Sequence, residues 1–245
     1  STGRCYVQPV PLTILGVPGL PEIEPGADLA GMIAEAASAA GTPIESGDVV
    51  VVTSKIVSKA EGRIVELADV EPSPFALAWS QQWDKDPAVT ELVLRESKRV
   101  VRQIGPVLIT ETHHGFVCAN SGIDQSSSGV RGRVVLLPVD PDDSARRLRS
   151  GFTALGLDVA VIVSDTFGRA WREGQTDIAI GVAGMQPIFS YIGQVDPHGH
   201  EFRVQAICTA DELAGAAELV KGNVSRVPVA VVRGHVWEPD DSATI

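Results

Sequence analysis

Apolar and polar positions along this 245-residue chain follow two different periods, and the switches between them mark its elements. Val7 to Leu15 alternates loosely and predicts a strand, followed by a Gly/Pro-rich turn from Gly16 to Gly26. Leu29, Met32, Ile33, Ala36, Ala37 and Ala40 then recur at three- and four-residue steps. That spacing predicts a helix with Asp28 as its cap and Gly41 as its stop. Val49 to Val52 is a β-branched run of strand length, expected to be buried. Arg63 to Leu67 reads as a further short strand.

Asp86-Pro87 opens a second helix, with Val89, Leu92 and Val93 on one face. Val107 to Thr110 and Phe116 to Ala119 read as two strands around His113-His114-Gly115, and Val134 to Leu137 as another. Asp140-Pro141 starts a third helix with Ala145, Leu148, Phe152 and Leu155 inward and Gly156 at its end. Val159 to Val163 is again a buried strand. Strand-like segments cluster from Ile178 to Val204, with a hairpin turn at Asp196-Pro197-His198-Gly199. Thr209 and Glu212 have the spacing of a capping box. The helix after it aligns Leu213, Ala216, Ala217 and Val220 and stops at Gly222. A last strand, Val229 to Val232, precedes an acidic tail. Strands outnumber helices and hairpins recur, so the expected class is mixed α+β rather than a doubly wound sheet.

Composition narrows the function. A net charge of −11 repels polyphosphate backbones and argues against a general nucleic-acid binder. The three cysteines, Cys5, Cys118 and Cys208, are widely spaced and form no CxxC, which fits a reducing cytoplasm better than a disulfide framework or a zinc site. No apolar run reaches membrane-spanning length and no signal peptide is evident, so the protein is expected to be soluble and cytoplasmic, with no membrane partner.

Three stretches have chemistry to offer. Ser164-Asp165-Thr166 follows the buried strand ending at Val163, where a rigid strand end can aim a carboxylate. Asp165 and Thr166 are hard oxygen donors suited to Mg²⁺ or Mn²⁺. Arg169 and Arg172 follow, able to fork onto phosphate or carboxylate. Ser121-Gly-Ile-Asp-Gln-Ser-Ser-Ser-Gly129 is a polar loop that can cradle phosphate and offers Asp124 as a second carboxylate. Thr53-Ser-Lys-Ile-Val-Ser-Lys59 puts two lysines and three hydroxyls at a strand exit, without the G-x-x-x-x-G-K pattern of a P-loop. Taken singly, each has a plainer explanation: an Asp-Thr turn with solvated arginines, a flexible serine-rich turn, a solvated basic turn. His113 and His114 are adjacent in a hairpin and point to opposite faces, a poor arrangement for one metal.

In combination these stretches resemble the coenzyme F420-0:γ-glutamyl ligase family. The resemblance rests on Val17-Pro-Gly-Leu-Pro-Glu-Ile23, Gly47 to Lys59, Ser121-Gly-Ile-Asp-Gln-Ser126, Val163-Ser-Asp-Thr-Phe-Gly-Arg-Ala-Trp-Arg-Glu-Gly-Gln-Thr-Asp177 and Ala210 to Gly222, in order over nearly the whole chain. It implies a GTP-dependent ligase that adds L-glutamate to the deazaflavin precursor F420-0. The implied fold is an intertwined α+β homodimer, with residues 1–245 as one catalytic unit of two interleaved lobes. The C-terminal flavin-binding domain of some actinobacterial relatives is not expected here. Two Mn²⁺ or Mg²⁺ ions and a helping K⁺ are implied as well. By position, Asp124, Asp165, Thr166 and Asn223 would hold metal. Leu20, Pro21, Glu22, Ile23, Ser54, Lys59, Ser127 and the segment Lys221, Gly222, Asn223, Val224, Ser225, Arg226, Val227 and Pro228 would line the GTP site. Arg169 and Arg172 would join Asp124 and Asp165 in catalysis. Relatives commonly show A-G-[IV]-D-x-S-N; here Ser121 replaces the Ala and Ser127 the Asn. A nucleotide-dependent ligase acting on another acid, and a non-catalytic nucleotide-binding module, are the other functions these residues allow.

Overall fold

The valines from 49 to 52 and the residues from 159 to 163 have no exposed surface, as apolar runs with no polar face require. They lie side by side because strands Val49–Thr53 and Ala160–Gly168 pair in parallel at the centre of a six-stranded sheet. The computed structural model describes residues 11–125, 132–222 and 224–245. Its first half contains β1 (Thr13–Gly16), α1 (Leu29–Ala39), β2 (Val49–Thr53), α2 (Ser54–Ala60), β3 (Ile64–Glu66), α3 (Pro74–Trp83), α4 (Pro87–Arg95), β4 (Ser97–Ile104), β5 (Val107–Thr112) and β6 (Val117–Ala119). The second half contains β7 (Arg133–Val135), α5 (Pro141–Ala154), β8 (Ala160–Gly168), β9 (Gln175–Met185), β10 (Ile188–Ser190), β11 (Ala206–Cys208), α6 (Thr209–Lys221), β12 (Val229–Arg233) and β13 (Pro239–Asp240). The main sheet runs β1-β12-β2-β8-β9-β13, antiparallel at every step but β2–β8. Smaller sheets are β4-β5-β6, β3-β7 and β10-β11. The class is the expected mixed α+β.

Period two divides the central strands between two cores. Val50, Val52, Val161 and Val163 face α1 and α5, meeting Ile33, Leu148 and Phe152. Val49, Val51, Ala160 and Ile162 face α6, meeting Leu213, Ala214 and Ala217. A third cluster packs Trp79 of α3 and Leu92 and Val93 of α4 on Val134 and Leu136. Each fully buried apolar side chain contributes about 1.5–3 kcal/mol, so the doubly covered sheet is the firmest support for a site at its end.

Helix entries follow their caps. Asp28 Oδ1 accepts from Gly31 N at 3.2 Å, Asp86 Oδ1 from Ala88 N at 2.8 Å and Asp140 Oδ1 from Asp143 N at 2.8 Å. The expected Thr209–Glu212 box does not form. Thr209 is the first residue of α6, and Cys208 takes the cap position without a side-chain bond. Docking sets this register instead: Ala210 N donates to Pro187 O at 3.1 Å, and Asp211 Oδ1 accepts from Ala179 N at 2.9 Å.

Other expectations need correction. Leu155 is not inward but 52% exposed, because α5 unwinds at that residue while Phe152, one turn earlier, stays in the core. The stretch from Ser54 to Lys59 is not an open strand exit but helix α2. Between 178 and 204, strand is confined to β9 and β10. The rest is a loop closed by the Val195–Glu201 bridge, with the Asp196–Gly199 turn at its tip. Of the strand expected from Val7, residues 7–10 lie outside the described residues, and pairing starts at Thr13. Most consequential, β8 does not end at Val163. Its pairing with β9 continues through Asp165, Thr166, Phe167 and Gly168, so the Asp-Thr pair sits in a strand rather than in a turn after one. Among the described residues no helix is long and apolar enough to cross a membrane.

Candidate active site

β2 and β8 run parallel, so whatever follows their last apolar residues is delivered to one place. A cleft of about 470 Å³ opens there. Thr53 and Lys55 come from the β2–α2 junction, Asp165 to Gly168 from β8, and Gln175 and Asp177 from β9. Cys118 and Ala119 of β6, with Gly122, Ile123 and Asp124, form another side. Glu218, Lys221 and Gly222 at the end of α6, with Arg226, Val227 and Pro228, complete it.

A bulge aims the central residues. Val163 pairs with Gly181 and Ser164 with Ala179, leaving Ile180 unopposed. Past the bulge, Ser164 and Thr166 turn to one face, where Asp177 accepts from Thr166 Oγ1 at 2.7 Å and from Ser164 Oγ at 3.0 Å. Lys221 Nζ donates to Asp177 Oδ2 and to Ser164 Oγ, each at 2.7 Å. Asp177 and Lys221 are only 3% and 2% exposed, so this ion pair is fully withdrawn from water and is matched by hydrogen bonds.

Asp165 turns the other way by strand alternation. Burial pushes its carboxyl up to about 7, and the charge on Asp177 adds to that. Hydrogen bonds from Thr166 N–H and the Ser54 hydroxyl, with the Lys55 charge, offset only part. Lys55 Nζ also pairs with Asp124 Oδ2 at 2.7 Å. Asp124 is held in place by a two-way backbone bridge to Val135, both bonds 2.9 Å. Glu218 is pushed up by burial first and by Asp177 second. Burial, then Asp165, pushes the Cys118 thiol up to about 12, which keeps it protonated and unreactive at neutral pH.

The residues singled out from sequence divide accordingly. Asp124, Asp165, Thr166, Lys221, Gly222, Arg226, Val227 and Pro228 line the cleft, and Ser54 bonds Asp165 from the start of α2. Lys59 is buried and its ammonium pairs with Glu22. Ile23 is in the main core with Leu20 packed against it, and Pro21 is exposed between them. Val224 is exposed, and the Ser225 hydroxyl donates to Lys221 O. Arg169 and Arg172 are not brought to the cleft wall. They lie exposed on the β8–β9 hairpin tip, where Arg169 Nε donates to Glu173 O at 3.1 Å. Ser127 and Asn223 lie outside the described residues. His113 and His114 bind backbone carbonyls of Arg95 and Pro138, away from the cleft. Asp177 and Glu218 have no role in the sequence reading, and neither does the pairing of Lys55 with Asp124. One sign was available: Lys221 falls four residues after Ala217 on the apolar stripe of its helix, and a buried charge needs a partner.

Frame and cleft together define a class: a mixed α+β protein whose polar cleft, set with carboxylates and ammonium groups, is sized for small charged molecules rather than a polymer. The family model for F420-0:Gamma-glutamyl ligase matches residues 19–234, and the chain belongs to that family. It is similar to the coenzyme F420:L-glutamate ligase of Methanothermobacter thermautotrophicus, 42% identical over 228 residues that cover 92% of this chain and 90% of that protein. The enzyme of the same description from Methanopyrus kandleri is 42% identical over 231 residues, 93% of this chain and 86% of the relative. That from Methanocaldococcus jannaschii is 39% identical over 194 residues, 78% and 77% of the two chains.

Proposed function

We propose that this protein joins the amine of L-glutamate to the carboxylate of coenzyme F420-0, and then adds further γ-linked glutamates, with GTP as phosphoryl donor. Family membership and the names of the relatives support a glutamate ligase of F420 biosynthesis. The observation that carries the chemistry is the cleft floor, where Asp165 and the Lys55–Asp124 pair meet at the ends of two parallel strands.

A carboxylate is a poor acyl donor and needs activation. An oxygen of the F420-0 carboxylate attacks the γ-phosphorus, the bond from that phosphorus to the bridging oxygen breaks, and GDP leaves. The glutamate amine then attacks the carbonyl carbon of the acyl phosphate. The carbon–oxygen bond to phosphate breaks, phosphate leaves, and the amine proton passes to water. Lys55 and Arg226 supply positive charge at the cleft wall for phosphate oxygens. Lys221 holds the wall itself, since Asp177 and Ser164 engage its ammonium. Val227, Pro228 and Phe167 keep part of the cleft apolar, which protects an acyl phosphate from water.

A divalent ion fits these residues. Asp165 is a half-buried acid whose ionised form is short of compensating charge, and Asp124 and Thr166 are hard oxygen donors on the same cleft. Among the described residues no three His, Cys, Asp or Glu side chains gather at ligating range, so substrate phosphate and water would complete the shell. When bound, Mn²⁺ or Mg²⁺ neutralises charge developing on the phosphoryl oxygens. Two such ions, a supporting K⁺ and a cytoplasmic homodimer belong to the same proposal. The test is incubation with GTP, Mn²⁺, L-glutamate and F420-0, followed by mass spectrometry for glutamylated product. No product across Mn²⁺, Mg²⁺ and K⁺ conditions would sink it.

A further inference from the structure

The β8–β9 register puts Asp177 directly across from Thr166, with Ser164 two residues back on the same face of β8. Together with Lys221 these side chains share a fixed set of protons. Lys221 Nζ lies 2.7 Å from Asp177 Oδ2, so Asp177 is a carboxylate and can only accept. The same ammonium donates to Ser164 Oγ at 2.7 Å, which turns the Ser164 proton to Asp177 Oδ2 at 3.0 Å. The Thr166 proton goes to Asp177 Oδ1 at 2.7 Å. Ser164, Asp177 and Lys221 are buried, whereas Thr166 is half-buried on the cleft wall.

Stability does not account for this arrangement, because a well-packed apolar pair is often as stable as a buried ion pair. What the ion pair does that an apolar pair cannot is dictate where the Thr166 proton points. A hydroxyl has one proton and two lone pairs. With the proton committed to Asp177, Thr166 Oγ1 has only lone pairs for the cleft, and no second hydrogen bond to it is present among the described residues. It therefore suits a cation and cannot donate to a phosphate oxygen. Asp165 and Asp124 line the same cleft, so the oxygens around that space are hard ones, as a divalent cation prefers.

We propose that Asp177, locked by Lys221, is a positioning residue that turns the Thr166 hydroxyl oxygen toward a divalent cation in the cleft. This rests on the ion of the ligase reading above. Asp177 touches neither ion nor substrate; it acts through Thr166.

The test reads the Mn²⁺ affinity of the whole chain without nucleotide or substrate, from the electron paramagnetic resonance signal of free Mn²⁺. The main variant is the neutral pair Asp177→Leu with Lys221→Met. It keeps the net charge beside the cleft and strands no ion, and circular dichroism checks its fold. Mn²⁺ should bind it about 10–100-fold more weakly, as loss of a group that orients a ligand implies. Thr166→Val should lose about as much and Thr166→Ser little. Adding Thr166→Val to the neutral pair should cost nothing further, because both changes remove one interaction. Asp177→Asn is the second variant, should the pair not fold. Its amide oxygen stays with Lys221 and its NH₂ faces Thr166, which reverses the hydroxyl and should weaken Mn²⁺ binding similarly. Wild-type affinity in the folded neutral pair overturns the positioning role and leaves the ligase reading standing, as do additive losses in the triple variant. Kept Mn²⁺ affinity with a raised KM for L-glutamate assigns the hydroxyl to the amine and also overturns it. A wild-type chain that binds no Mn²⁺ at millimolar concentration overturns the positioning role and the divalent ion together, while glutamylation by that chain would keep the ligase.

Discussion

Asp165 and Asp177 lie on opposite faces of one hairpin and meet burial differently. Asp177 has Lys221, Ser164 and Thr166 on its oxygens. Asp165 has two hydrogen bonds and a lysine already engaged by Asp124, so its carboxyl rises to about 7. An unfolded aspartate titrates near about 3.9, so the folded state holds this proton more tightly than the unfolded one. The Asp165 contribution to the stability of the metal-free protein therefore falls as pH rises from about 4 through about 7 and levels off above. Calorimetry in EDTA should show that decline between these limits, and Asp165→Asn should flatten it while reducing ligation at least about 100-fold, the scale expected for loss of a stabilising group at the phosphoryl centre. An Asn variant with an undiminished pH slope would move the titration to another group. At Lys221 the argument runs through charge. Lys221→Met strands the Asp177 carboxylate and should cost about 3–5 kcal/mol in urea unfolding. Adding Asp177→Leu should restore part of that, because the uncompensated charge is then gone.

At the scale of elements, the bulge in β9 sets the register that puts Asp177 opposite Thr166 and leaves Asp165 on the other face, and Gly181 makes room for it. A Cβ at Gly181 would lie 2.2 Å from Pro141 O, where α5 begins directly over the strand. Gly181→Ala must lift α5 or flatten the bulge opposite Val163. It should lower stability by about 1–3 kcal/mol, as overpacking does. Ligation should fall with it, because Asp165 is aimed by that bulge; unchanged turnover with lowered stability would separate the two. The elements readable beforehand were those with a single local cause. The Asp-Pro starts of α4 and α5, the Asp28 cap and the all-valine strand each specify themselves. What escaped depends on partners distant in sequence. Polar β4 exists because β5 pairs with it, and Asp165 remains in strand because β9 runs on beside it. Thr209 fails as a cap because Pro187 fixes the helix one residue off. The cleft was half legible for the same reason. Asp124, Asp165 and Thr166 stand out as motif residues, whereas Asp177 acquires its meaning only from the β8–β9 register and from Lys221.

For the whole molecule, the β4–β5–β6 sheet presents one apolar face to water. Its inner face is closed by Leu108, Thr110 and Cys118, but β4 overhangs, with Val100, Val101 and Ile104 all exposed and Val117 of β6 exposed alongside. β4 also carries Lys98, Arg99 and Arg102 and no acid, in a chain whose net charge is −11. Glu111 of β5 pairs with Lys98 and Arg99, and a second copy of this acidic protein would cover the exposed valines and meet the positive charge that remains. The expected outcome in light scattering is therefore twice the 25.8 kDa chain mass. Val101→Asp combined with Ile104→Asp puts two desolvated carboxylates into that contact and should shift the mass toward a single chain. Its secondary structure by circular dichroism should stay unchanged, because neither side chain belongs to a core cluster. Added salt should weaken the native pair, since part of the attraction is between exposed charges and is screened over about 8 Å at physiological ionic strength. A native protein that stays at single-chain mass in the micromolar range would rule out this surface as the contact.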